Sequence, residues 1–81
     1  MQRVLDMNRE IETKVGNNIR KIREGKGMTQ DTLAAKLQLL GCDITRSAVA
    51  KIEVGQRHLY PDEVILIRQI LDTSFDAIFK I

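Results

Sequence analysis

The stretch TQDTLAAKLQLLGCDITRSAVAKIEVG, residues 29–55, decides the fold. Thr29 offers its hydroxyl to the free N–H groups of a helix start, and Leu33, Ala34 and Leu37 then supply one apolar face. That helix should run out at Leu40-Gly41, because glycine takes the left-handed conformation that closes a helix. Cys42-Asp43-Ile44 reads as a connection. Thr45 is a second cap, Val49 and Ile52 lie three apart on one face, and Gly55 closes a short third helix. With Val49 and Ile52 turned inward, positions 46, 47, 50 and 51 face outward.

On the N-terminal side, Ile11, Val15, Ile19 and Ile22 recur at helical spacing, which predicts a first helix that buries one stripe and ends at Gly25-Lys26-Gly27. Val4 and Met7 continue the stripe backwards, so residues 1–10 are either an N-terminal arm or an extension of that helix. On the C-terminal side, Pro61 suits a first helical position, and Asp62 and Glu63 place negative charge where the helix dipole favours it. A fourth helix over 61–71 follows. Asp72-Thr73-Ser74 interrupts the pattern, and Ser74 can cap a last short helix holding Phe75, Ile78 and Phe79. No segment alternates with period two. The expectation is an all-α chain, one domain over residues 1–81, with a five-helix core in 11–79.

Composition narrows the function. A chain of 81 residues buries only roughly 60–65 % of its unfolded surface, too little for a large enzyme fold with an internal cavity. The longest apolar run is Val64-Ile65-Leu66-Ile67, and MQRVLDMNRE at the start lacks a signal-peptide core, so no membrane is expected and the chain reads as cytoplasmic. One cysteine, Cys42, and one histidine, His58, allow neither an internal disulfide nor a structural zinc tetrad. No metal and no cofactor are expected. The formal charge is only +2, but it is unevenly spread. Residues 1–13 hold two basic and three acidic side chains, residues 14–57 nine and four, and residues 58–81 two and four. A basic middle between acidic ends suggests one face for a polyanion.

A capped helix, a short connection and a second short helix form the helix-turn-helix arrangement, which presents its second helix outward. Three blocks make the likeness specific: VGNNIRKIR (15–23), GMTQDTLA (27–34) and AVAKIEVGQR (48–57), with Leu71 and Ser74-Phe75 fitting the end of the pattern. Over about residues 11–79 the chain resembles the Cro and lambda-repressor-like, XRE-type helix-turn-helix family of DNA-binding regulators. The resemblance implies a five-helix domain whose third helix reads double-stranded DNA. It also implies a sequence-specific transcriptional regulator, a small prokaryotic or phage-type repressor, reading a near-palindromic operator without a small-molecule ligand.

Residue by residue, the resemblance implies base contacts from Arg46, Ser47 and Lys51. It places Gln30, Thr45, Arg57 and the Gln56 backbone at phosphates, with Ala48 peripheral. Arginine and lysine at such positions can reach guanine O6 and N7, and a serine can donate or accept at most base edges. The same resemblance pairs Arg23 with Glu53 as a structural ion pair and puts Ala34, Leu37, Val49 and Ile52 in the core. Leu39-Leu40-Gly41-Cys42-Asp43-Ile44 is several residues longer than the family's tight turn, which should alter the angle of the third helix.

The C-terminal third carries surplus apolar residues. Val64, Ile67 and Leu71 share one face of the fourth helix, whereas Ile65, Leu66 and Ile70 spread around it and Ile78, Phe79 and Ile81 crowd the end. Ile65, Leu66, Ile70, Ile78 and Phe79 are therefore candidates for a homodimer interface, unless the fifth helix folds back to cover them. The alternative function is a protein-interaction module, such as an antitoxin or adaptor, using these apolar C-terminal helices. Catalysis is not expected, since Ser47 and His58 have no nucleophile elbow or glycine-rich oxyanion loop around them. Cys42 reads as a structural thiol, with redox sensing through an intermolecular disulfide the sharper alternative, and His58 as a loop residue near the phosphates.

Overall fold

Three hydroxyls set where helices begin. Thr29, Thr45 and Ser74 accept from the N–H groups of Thr32, Ala48 and Ala77 at 3.1, 3.1 and 3.0 Å, each satisfying an orphan donor of a first turn. In the computed structural model, which describes residues 2–81 and side chains from residue 9 onward, these caps start α2 (Gln30–Leu39), α3 (Arg46–Glu53) and α5 (Phe75–Ile78). Helix α4 (Pro61–Leu71) opens with its proline at the first turn, and Glu63 accepts from the Tyr60 N–H at 3.0 Å. Helix α1 covers Gln2–Gly25, so residues 2–10 extend the first helix. No strand occurs among the described residues, and the fold is all-α with five helices.

The helix ends are closed by backbone chemistry. After α3, the Gln56 N–H returns to the Lys51 carbonyl at 2.8 Å and the Gly55 N–H to that of Ile52 at 3.1 Å, with Gly55 at φ 77°. After α4 the same pair of bonds forms, but Asp72 takes the left-handed position at φ 50°.

Helix α1 packs on α3 and α5, and α2 packs on α3 and α4. Ile19, Leu33, Leu37, Val49, Ile52, Ile67, Leu71 and Ile78 fill the space between them, each 3 % exposed or less. Asn18 fastens the end of the chain to α1, its Nδ2 donating to the carbonyls of Ile78 at 2.9 Å and Lys80 at 2.7 Å. Among the described side chains, burial on α1 starts at Val15. Ile11, expected in the core stripe, is 43 % exposed, because it borders a surface cleft with Leu59, Phe75 and Phe79 rather than the core. The side chains of Val4 and Met7 lie outside the described residues.

The long connection between α2 and α3 is folded inward. Cys42 and Ile44 are buried, and the Gln38 side-chain amide donates to the Ile44 carbonyl at 2.7 Å. The extra length thereby anchors the start of α3 to the core. Burial, with the nearby carboxylates of Glu63 and Asp62, pushes the Cys42 thiol above its ordinary pKa, so it packs as a small apolar group and is a poor nucleophile.

Candidate nucleic-acid interface

On α3, Val49, Ile52 and Glu53 face inward and Arg46, Ser47 and Lys51 are exposed, with Ala48 and Ala50 between. The outward face thus carries two cations and a hydroxyl on a short helix whose N-terminus is capped by Thr45. Because its oxygen only accepts from Ala48, the Thr45 hydroxyl keeps its own proton for an outside acceptor.

Glu53 holds this helix in place. Its side chain is 1 % exposed and accepts from Arg23 Nε at 2.7 Å and Arg23 Nη2 at 3.0 Å, a bidentate pair between α1 and α3. Arg23 spends its remaining Nη1 on the Met28 carbonyl at 2.7 Å. The carboxylate, chiefly through its hydrogen bond, raises the Arg23 pKa against the opposing effect of burial. Gln30, at the start of α2, adds a third donor to Glu53 at 3.0 Å. One buried carboxylate therefore ties together the end of α1, the start of α2 and the end of α3.

The family model for helix-turn-helix proteins matches residues 19–78, which include every element of this arrangement. The chain belongs to the Cro and lambda-repressor-like helix-turn-helix family. That family is one of DNA-binding regulators, and the capped α2 and α3 are its helix-turn-helix. No curated protein and no solved structure matched the chain.

In this helix-turn-helix regulator two of the positions implied as phosphate contacts are already occupied. Arg57 is not a free cation: its Nη1 and Nη2 donate to the two Glu63 carboxylate oxygens at 2.9 and 3.0 Å, and Nη1 also reaches the His58 carbonyl at 2.9 Å. Burial raises the Glu63 pKa, but the Arg57 hydrogen bonds and the Tyr60 N–H outweigh it and leave the carboxyl below its ordinary value. The backbone N–H of Gln56 is spent on closing α3, so only its exposed side chain remains available. Gln30 is half-buried and partly committed to Glu53. His58 pairs through Nδ1 with the Glu12 carboxylate of α1, which turns it toward an acid. Asp31, which the motif reading passed over, sits across from Arg46 with its Oδ1 3.9 Å from the Arg46 Nε.

The apolar surplus also divides. Ile78 is fully buried, so it cannot line an interface; α5 folds back and inserts it into the core. Leu66 and Ile70 are partly buried against that core, whereas Ile65 and Phe79 are 51 % and 46 % exposed. Ile65 and Phe79 border an apolar cleft of about 420 Å³ with Ile11, Val15, Leu59 and Val64. Among the described residues no His, Cys, Asp and Glu cluster could hold a metal ion, and no helix is long and apolar enough to cross a membrane.

Proposed function

We propose that this chain is a sequence-specific transcriptional repressor of prokaryotic or phage type, acting in the cytoplasm. It reads a near-palindromic duplex as a homodimer. Arg46, Ser47 and Lys51 turn toward bases, and Gln30 and Thr45 toward phosphates. The observation that carries this reading is the exposed Arg46, Ser47 and Lys51 face of a capped α3 whose opposite face is locked by Glu53. A rigid helix with bidentate-capable donors on one side suits a major groove.

For the dimer, the supporting feature is the cleft bordered by Ile65 and Phe79, with exposed Ile11 and Phe75 beside it, which a second copy would cover. The same apolar cleft favours the second reading, a protein-interaction module that holds a different protein there. Selection from a random duplex library separates the two. A repressor of this kind recovers a near-palindrome with half-sites ~34 Å apart. Its affinity falls steeply with salt. Sedimentation with the selected duplex then gives two chains of 9.2 kDa per duplex. A library that yields no preferred duplex, from a chain that stays a 9.2 kDa monomer with DNA present, favours the interaction module.

A further inference from the structure

Arg46 occupies the first position of α3 and Asp31 the second position of α2, and the two side chains meet across the turn with Nε and Oδ1 3.9 Å apart. Both are strongly exposed, 67 % for Arg46 and 77 % for Asp31, so the pair adds little to folding stability. An acid in the first turn of α2 suits the helix dipole, as Asp62 and Glu63 do in α4, yet at this face it also repels every duplex alike. The two helix starts that carry the pair are held firmly. Thr29 and Thr45 cap them, and Gln30, next to Asp31, is bonded to the Glu53 that anchors α3.

Resting on the reading that α3 enters the major groove, we infer that Asp31 is a positioning residue that sets base specificity through Arg46. The carboxylate lies on the Nε side of the guanidinium, 3.9 Å away and without a hydrogen bond, and Nη1 and Nη2 have no partner among the described residues. Those two donors match guanine O6 and N7 as a pair, and no other base edge in the major groove offers two acceptors in that arrangement. Water excluded from the groove strengthens the carboxylate–guanidinium attraction, so the pair tightens on binding. Arginine is rich in rotamers, and a nearby carboxylate that favours one arrangement before contact lowers part of the entropy lost when it meets its base. The negative charge simultaneously weakens binding where no guanine repays it, which widens the gap between the correct and incorrect duplex.

The test compares the unmodified chain with Asp31→Asn, Arg46→Ala and the double variant. Each is titrated with the selected duplex, its single-base variants and an unrelated duplex at about 150 mM salt. Asp31→Asn is expected to raise affinity for the unrelated duplex. It is also expected to reduce preference by up to roughly fivefold, the upper worth of an exposed ion pair, at the base pair that Arg46→Ala affects. In the Arg46→Ala background the Asp31 change should leave base preference untouched, and thermal unfolding should stay the same throughout. The inference is overturned if Asp31→Asn shifts all duplexes by one common factor, or if it alters preference equally with Arg46 absent. If Arg46→Ala removes a preference that Asp31→Asn leaves whole, the positioning role alone fails. If Arg46→Ala leaves every preference intact, base reading through Arg46 fails with it.

Discussion

Glu53→Gln is expected to destabilise the domain by about 3–5 kcal/mol, the usual cost of removing one partner from a buried ion pair. The amide keeps the shape of the side chain but replaces an acceptor by a donor, which then faces the Arg23 guanidinium. Arg23 has only 7 % of its side chain exposed, so its charge would stay buried with only the exposed Glu24 carboxylate, 4.0 Å from Nη2, left beside it. Gln30 would also lose its charge-assisted bond to the carboxylate. Small domains hold only roughly 5–15 kcal/mol in total, and at this size the loss leaves a large unfolded fraction. Urea unfolding followed by circular dichroism measures the effect. A shift under about 0.5 kcal/mol, the range of an ordinary surface change, contradicts the role given to Glu53.

Gly16→Ala is the second large effect expected, by a different mechanism. Helix α1 crosses α3 at Gly16 so closely that a Cβ there would lie 2.1 Å from the Ile52 carbonyl oxygen and 2.9 Å from that of Glu53. Both obstacles are backbone atoms of α3, so no side-chain rotation relieves them and the two helices must move apart. Overpacking typically costs 1–3 kcal/mol and occasionally more; with rigid backbone on the far side, a net loss of about 3 kcal/mol is expected after the better helix propensity of alanine is counted. Gly25→Ala is the matched control. It has open space around it, so it should be neutral or stabilising by up to about 1 kcal/mol. The paired unfolding curves decide the matter, and equal midpoints for the two variants would contradict the close crossing.

Local chemistry was the part of this fold most legible in the sequence. Thr29, Thr45, Ser74 and Pro61 announce helix starts because a cap acts within three residues of itself, and Gly41 and Gly55 announce ends for the same reason. Periodicity shows the inward faces of α2, α3 and α4 but misplaces Ile11, since a stripe continues along a helix whether it meets the core or, as at Ile11, an open cleft. In the four-residue α5 it had no power to choose between Ile78, which is buried, and Phe79, which is not.

At the candidate site, the likeness to a family carried the Arg23–Glu53 pair but not the partners of the residues implied to meet DNA. Arg57 falls at a position implied to meet phosphate, yet Glu63 six residues later takes both of its terminal nitrogens. The link from Gln30 to Glu53 spans 23 residues, and Asp31 and Arg46 approach each other across a turn in which Cys42 and Ile44 are buried. Pairings of this kind depend on how helices are oriented, and a motif carries them only where, as for Arg23 and Glu53, the pair is itself part of the motif.

DNA reading by the outward face of α3 is probed by the double variant Arg46→Ala, Lys51→Ala. The chain and the variant are titrated with the selected duplex and an unrelated one at about 150 mM salt, after confirming equal unfolding midpoints. Each lost base contact is worth ~1–3 kcal/mol, so affinity for the selected duplex should drop at least roughly tenfold and come close to that for the unrelated one. Unchanged affinity together with unchanged preference would contradict the claim.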